Sequence, residues 1–143
     1  MKTKTIFLCA SMDFYPELVV VEQELKQRGF AVGVPVSVAI MKKKHDFEVS
    51  HFKGVVSYKD RGTFIRKNFR DIAASDAILV INNTKKGMNG YIGANVLMEI
   101  AMAFYFTKKI FIWNQYSADA PYVEELACFG AVVINRDLSK ITV

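Results

Sequence analysis

The chain has 143 residues, of which 52% are hydrophobic and 23% charged, with a formal net charge of +5 at pH 7. This length suits one domain, and the apolar content, which includes 11 phenylalanines, excludes an intrinsically disordered chain. No apolar run is long enough to span a bilayer, and the run near the N-terminus lacks a secretory cleavage pattern. We therefore expect a cytoplasmic protein with no membrane partner.

Short apolar runs alternate with helical patterns along the chain. The runs predict five strands, at 3–10, 30–36, 77–82, 109–114 and 131–135. Four helices are predicted between them, within 11–29, from about 62 through NFRDIAASD (68–76), at about 95–107 and at 121–130. Most strands are continuous apolar runs, as in a parallel sheet covered on both faces. This pattern predicts an α/β fold, a flavodoxin-like three-layer α/β/α sandwich whose five-stranded parallel sheet has the order 2-1-3-4-5.

One segment, at about 37–62, interrupts this alternation and lacks strong periodicity. The region from Lys42 to Arg70 contains nine lysines and arginines but three acidic residues. We expect a single domain over 1–143 with a basic loop insert at about 37–62, in which FKGVVSY (52–58) is a candidate extra strand. Two interpretations remain open: a basic lid over an anionic ligand, and a mobile, solvated surface loop.

The sequence GMNGYIGANVLME (87–99) follows the third predicted strand and leads into an apolar helix. It matches neither a Walker loop nor a G-x-G-x-x-G fingerprint. In a sheet of order 2-1-3-4-5, however, ligands bind beyond the carboxyl ends of strands 1 and 3, where this loop begins. Its glycines allow close approach of a ligand, and the helix start, which we expect Asn95 to cap, favours an anion.

Glu99 is the only charged residue between Gly87 and Thr107. Because its helix is apolar nearly all round, we expect the helix to be buried by the sheet and by a second surface, or to form an interface. A lone carboxylate is costly to bury unless it is paired or used, which favours a functional Glu99. The alternative is a helix-start acid with one wet face, stabilised by the helix dipole.

Other residues that often carry chemistry have simpler interpretations. His45 and His51 lack the cysteine or acidic partners of a metal site, so we predict surface histidines and no bound metal. Cys9 and Cys128 are expected to be reduced, buried thiols. The aromatic residues at 104–106 and Trp113 are predicted to lie in the core, whereas Phe14 and Tyr15 are better placed to stack on a ligand.

Three stretches resemble nucleoside 2-deoxyribosyltransferases and the related deoxynucleoside 5′-monophosphate N-hydrolases. They are TIFLCASMDF (5–14), SDAILVIN (75–82) and YIGANVLMEIAMAFYFTKKIFIW (91–113). The resemblance covers most of the chain but does not extend to residues 37–61. It implies that Glu99 is a nucleophile that attacks C1′ of a 2-deoxyribosyl group and displaces the nucleobase, after which a second base or water resolves the ester. It also implies a nucleoside or nucleotide substrate, no cofactor and a homo-oligomer.

The resemblance and the position of the loops together define the candidate substrate-binding residues. These are Ser11, Met12, Asp13, Phe14, Asn82, Asn83, Lys85, Asn89, Tyr91, Gly93 and Asn95. The chain departs from the transferases because it has no acid between Asp76 and Glu99, and an amide cannot protonate a leaving base. Lys85 and Lys86 would suit a 5′-phosphate. A non-catalytic nucleotide sensor therefore remains an alternative, and binding of nucleic acid by the basic segment is the least expected function.

Overall fold

The central element of the computed structural model, which describes residues 2–143, is a parallel sheet of five strands in the order β2-β1-β3-β4-β5. The strands are β1 (Thr5–Ala10), β2 (Ala31–Gly33), β3 (Ala77–Ile81), β4 (Lys109–Ile112) and β5 (Val132–Val133). The predicted flavodoxin-like fold and strand order are confirmed, although β2 and β5 are shorter than the apolar runs suggested.

Helices cover both faces of this sheet. They are α1 (Tyr15–Gln27), α2 (Val36–Lys44), α3 (Val49–Lys53), α4 (Tyr58–Ala74), α5 (Ala94–Tyr105) and α6 (Val123–Cys128). Alternate residues of a strand point to opposite faces, so Leu8 packs in a cluster with α1 while its neighbour Phe7 packs in a second cluster with α5 and α6. The strands β1 and β3 are therefore buried on both faces, which explains their continuous apolar sequence.

The segment expected to be an irregular loop is largely helical, so the predictions of a loop and of a strand at 52–58 were wrong. We call residues 36–53, which form α2 and α3, the cap. Each cap helix buries only one to three side chains, such as Val38, Met41 and Phe52, and so few apolar positions give no recognisable period. The next helix, α4, starts before Gly62 because Ser57 caps it, its Oγ accepting from the backbone N–H of Asp60 at 3.1 Å.

The cap is held against the rest of the molecule by buried polar contacts. The Tyr15 hydroxyl and Ser37 Oγ lie 2.6 Å apart. Glu22 of α1 accepts from Lys42 of α2 and from Lys26, both at 2.9 Å. Burial raises the pKa of Glu22, but the hydrogen bonds from these two lysines outweigh burial, so its pKa lies below the ordinary value. The cap is therefore a docked part of the fold.

Several side chains are more exposed than the sequence predicted. Phe104 and Tyr105 are exposed on the outer side of α5, and Cys128 is exposed at the end of α6, whereas Trp113 and Cys9 are buried as expected. These exposed positions were wrongly predicted because an apolar sequence does not show which side of a helix lacks a covering layer. Within residues 2–143, no helix is long and apolar enough to cross a membrane.

Candidate active site

A cavity of about 490 Å³ opens beyond the carboxyl end of β1, between the cap, α4 and α5. Eight of the residues predicted from sequence line it: Ser11, Met12, Asp13, Lys85, Tyr91, Gly93, Asn95 and Glu99. The lining also contains residues of the cap and of α4, including Ser37, Phe52 and Asn68. The cavity lies where ligands bind in open parallel sheets of this strand order.

Glu99 lies on the inner side of α5, with only 2% of its surface exposed. Its Oε2 atom is buried and has no hydrogen-bond partner among residues 2–143. Burial raises the pKa of the Glu99 carboxyl to about 8, so the group is mainly protonated at pH 7. A buried carboxyl that lacks a protein partner and lines a cavity is typical of a functional site.

The start of α5 differs from the sequence expectation. The helix begins at Ala94 with Gly93 in the N-cap position, so Asn95 is its second residue and does not cap it. Glu99 is therefore the sixth residue and lies beyond the first turn, to which the stabilising effect of the helix dipole is largely confined. The interpretation of Glu99 as a wet helix-start acid was wrong, and burial dominates its ionisation.

The negative charge of ionised Glu99 raises the pKa of two other titratable side chains. Burial raises the pKa of the Cys9 thiol well above its ordinary value, and the Glu99 charge raises it further. Burial also raises the pKa of Tyr15, which the Ser37 hydrogen bond lowers and the charge of Glu99 raises again. Tyr15 lines the cavity with Glu99. The hydroxyl of Tyr15 thus links the cap to the surroundings of the carboxyl.

Lys85 joins the turn after β1 to the loop after β3. Its Nζ donates to Ser11 Oγ at 3.0 Å and forms an ion pair with Asp13. The same ammonium lies 5.2 Å from the centre of the Tyr91 ring, which packs edge-on against Phe14. Phe14 is buried behind this ring and does not itself line the cavity.

Four cationic side chains, Lys53, Arg61, Lys85 and Lys86, line the cavity, and we call them the cationic rim. Asp13 and Glu99 are the acidic residues of the lining. Arg61 donates from Nη2 to the backbone carbonyl of Lys53 at 2.9 Å, whereas its buried Nε has no partner among residues 2–143. Positive charges outnumber negative ones here, so the rim favours an anionic ligand.

The asparagines after β3 lie outside this cavity. Asn82 is fully buried and exchanges hydrogen bonds with the backbone of Asn114, at 2.7 Å to its N–H and 2.8 Å to its carbonyl. Asn83 donates to Glu17 and contacts the side chain of Asn114. Their amides therefore join the loops after β3 and β4 instead of facing the cavity, which a sequence pattern does not reveal.

Asn89 also lies outside the main cavity. It directly follows a tight turn in which Lys85 and Met88 exchange backbone hydrogen bonds, and its Oδ1 accepts from Thr84 Oγ1 at 3.1 Å. It lines a second cavity of about 470 Å³, formed with residues 115–117. Glycine is required at position 90, after this turn, because a Cβ there would lie 2.4 Å from the carbonyl oxygen of Gln115.

Asn68 and Ser37 are polar lining residues that the sequence reasoning missed. Asn68 lies on α4 three and four positions from Ile65 and Ile72, so it interrupts the apolar stripe of an amphipathic helix. That interruption was the available signal. Ser37 carried none, because the helix to which it belongs was not predicted. No group of three or more His, Cys, Asp or Glu residues within 2–143 could hold a metal ion.

Comparisons with known proteins find similarity in structure. No protein-family model matches the chain, and no curated protein sequence matches it significantly. A 2-deoxyribosyltransferase from Bacillus psychrosaccharolyticus superposes with a TM-score of 0.54 and 16% identity, over 76% of this chain and 70% of that one. The CMP N-glycosidase BcmB of Clostridium botulinum superposes with a TM-score of 0.52 and 16% identity, over 92% of this chain and 88% of that one. The fold that the sequence resemblance implied is thus confirmed, since the chain shares it with a 2-deoxyribosyltransferase and a CMP N-glycosidase.

Proposed function

We propose that this protein breaks the N-glycosidic bond of a nucleoside or nucleotide, with Glu99 as the nucleophile. The observation that carries the proposal is the buried Glu99 carboxyl, which has an unpartnered oxygen and lines a cavity at the carboxyl end of the sheet. Support comes from the two solved structures of the same fold, a 2-deoxyribosyltransferase and a CMP N-glycosidase.

The proposed reaction has two displacement steps at C1′ of the sugar. A Glu99 oxygen forms a bond to C1′ as the bond from C1′ to the base nitrogen breaks, and the base leaves with the electron pair. Water, or a second base, then attacks C1′ as the bond from C1′ to the Glu99 oxygen breaks and releases the carboxylate, and the proton that the attacking group loses balances the one that the displaced base takes up. Only the ionised carboxylate is an effective nucleophile, so the raised pKa of Glu99 predicts a first step that accelerates as the pH approaches 8.

We propose further that the substrate carries a 5′-phosphate. The cationic rim supplies the charge, and Arg61 lines the cavity with a guanidinium whose one hydrogen bond among residues 2–143 runs from Nη2 to the Lys53 carbonyl. Guanidinium groups bind phosphate through paired hydrogen bonds, which suits Arg61 better than a lysine for this role. Nucleoside monophosphates should therefore be preferred over nucleosides.

The outer side of α5 supports a proposal of self-association. Met98, Phe104 and Tyr105 are exposed there, and Phe104 stacks on Phe129 with ring centres 4.7 Å apart. Exposed aromatic residues in one patch are typical of protein interfaces. We propose a homo-oligomer that buries this side of α5.

A direct assay tests the proposed reaction. The protein is incubated with cytidine, deoxycytidine, adenosine and deoxyadenosine and with their 5′-monophosphates, and free base is followed by chromatography. We expect base release from at least one monophosphate, and its loss in Glu99→Ala. Adding a second free base distinguishes transfer from hydrolysis. Absence of base release above the Glu99→Ala control would contradict the enzyme proposal.

A non-catalytic nucleotide-binding protein is the second candidate function. It is favoured by the state of Glu99, which is mainly protonated at pH 7, and by Asp13, the other lining acid, which is paired with Lys85. Calorimetric binding of a monophosphate without release of base, in the native protein, would support this candidate over the enzyme.

A further inference from the structure

Asn68 is a buried amide in the second half of α4, with 6% of its surface exposed. One of its side-chain atoms lies 3.1 Å from the backbone nitrogen of Val36, the first residue of the cap. Because a backbone N–H can only donate, the atom that faces Val36 must be the amide oxygen. This hydrogen bond therefore fixes which end of the amide is Oδ1 and which is Nδ2.

The Nδ2 group has no comparable role in the protein. Asn68 lines the main cavity, and the hydrogen bonds among residues 2–143 include none from its Nδ2. The nitrogen is not among the fully enclosed unpartnered atoms of these residues, so it remains reachable from the cavity. Water can satisfy this donor while the cavity is empty, and a ligand that displaces the water must offer an acceptor at this position or leave the donor unsatisfied at a cost in free energy.

The placement of Asn68 on α4 relates it to Glu99 and to the cationic rim. Arg61, Ile65 and Asn68 line the cavity from one side of α4, and Asn68 follows Arg61 by two turns, about 10 Å along the helix axis. Both α4, which leads into β3, and α5, which follows it, run from the carboxyl end of the sheet towards its amino end. Asn68 and Glu99 therefore both lie deeper in the cavity than the earlier residues of α4 and α5 that line it.

We propose that Asn68 Nδ2 is a specificity-determining donor, which binds an acceptor atom near the glycosidic bond of the substrate. A sugar hydroxyl and a base carbonyl oxygen share this chemistry. The inference rests on the proposed function in that it takes the ligand to be a nucleoside or nucleotide. It assigns Asn68 no part in bond cleavage, so it concerns which ligands bind and not whether they react.

The test measures binding in Glu99→Gln protein, so that no ligand is consumed. Dissociation constants are determined by calorimetry for CMP, dCMP and AMP. The ratio of dCMP to CMP reports a contact with the 2′-hydroxyl, and the ratio of AMP to CMP reports a contact with the base carbonyl, which adenine lacks. We expect at least one ratio to be about tenfold, because a lost hydrogen bond to a buried donor costs roughly that much.

Two further substitutions at position 68 separate the donor from its structural partner. Asn68→Asp keeps an oxygen that accepts from Val36 and replaces only the donating nitrogen. Asn68→Leu has a similar size and adds no charge, but it leaves the Val36 N–H unpaired, so its melting temperature should fall. Both variants are expected to bring the discriminating ratio close to one, even where the negative charge that Asn68→Asp introduces weakens the binding of all three ligands together.

The outcomes separate this inference from the proposed function. Equal loss of affinity for all three ligands with the ratios unchanged, or ratios that survive in both variants, would overturn the role of Asn68. Ratios near one in the Glu99→Gln protein that retains Asn68 would also overturn it. If the ratios respond to Asn68 while the native protein releases no base, the inference holds and the enzyme proposal fails. The two proposals therefore fail on different measurements.

Discussion

Helices α4 and α5 both line the main cavity, yet their sequences have opposite character. α5 is mainly apolar, and Glu99 is its one charged residue. α4 is rich in charged residues, and its one buried polar side chain, Asn68, is hidden among them. The contrast shows that a buried polar residue can be recognised in a sequence only against an apolar background. Both helices nevertheless place a polar side-chain atom without a protein partner in the lining of the same cavity.

Removing the carboxyl of Glu99 tests the α5 side of this comparison and should have the largest effect. If Glu99 is the nucleophile, Glu99→Ala should lower the rate of base release by about a thousandfold or more, since the covalent step is lost. Release is measured by chromatography at saturating substrate. Met98→Leu, on the exposed side of the same helix, is the matched control and should retain full activity.

The pH dependence of stability tests whether burial governs Glu99. Its pKa rises from 4.5 to about 8 on folding, so the folded state binds the proton more tightly than the unfolded state. The stability that the protonated carboxyl contributes is therefore fully present below pH 4.5 and is lost as the pH rises through 8, by about a few kcal/mol at most.

Urea unfolding at pH 5, 7 and 9 measures this loss. The Glu99→Gln variant cannot ionise at position 99, so its free energy of unfolding should fall less over the same range. A native protein and a variant with identical pH profiles would show that Glu99 is ionised at little cost in the folded state.

Substitution of Arg61 tests the α4 side of the comparison. The sequence shows that α4 is rich in charged residues but does not show which of them would bind a ligand. Arg61→Met should weaken binding of CMP by about 10-fold to 100-fold and leave binding of cytidine nearly unchanged, because only the phosphate contacts the guanidinium. The matched control is Arg66→Met, in the same helix but outside the cavity lining. Equal losses for CMP and cytidine would contradict a phosphate site at Arg61.

The smallest effect is expected on the outer side of α5. Tyr105→Ser should reduce self-association, measured by light scattering after size-exclusion chromatography, and change the melting temperature little, because the side chain is 75% exposed. Val55→Ser, at another exposed apolar position in the protein, is the control. A monomeric native protein would contradict the proposed oligomer.

The sheet could be predicted from sequence because each strand is marked by its own short apolar run and because such runs recur along the chain. β1 and β3 are buried on both faces, so their apolar runs could be recognised without knowledge of their neighbours. The expectation that Glu99 belongs to a site rested on the lone charge in α5, on the position of that helix after β3 and on the resemblance to 2-deoxyribosyltransferases. Periodicity and the topological rule for ligand sites were enough for the sheet and for the location of the cavity.

The remainder of the site depends on contacts between distant parts of the chain. Asn82 and Asn83 follow β3 as predicted, but hydrogen bonds to Asn114 and Glu17 turn their amides away from the cavity. The cap was missed because its helices are short and bury few apolar side chains, and they are held by contacts with distant elements such as α4, whose Phe64 ring lies beside Phe52 of α3. Tertiary contacts of this kind leave no period in the sequence.

The way in which the cap is attached has a consequence for the engineering of this fold. The cap lies between β2 and α4, within the single connection that joins β2 to β3. Few side chains form its polar contacts with the rest of the protein, among them Ser37 and Lys42. Within the described part of the chain, none of the strand pairs of the sheet involves the cap. Residues 36–53 therefore line the cavity without contributing to the sheet, although Val38, Met41 and Phe52 belong to the core. We expect a grafted cap that retains these polar anchors and apolar contacts to change which ligands are accepted while the sheet persists.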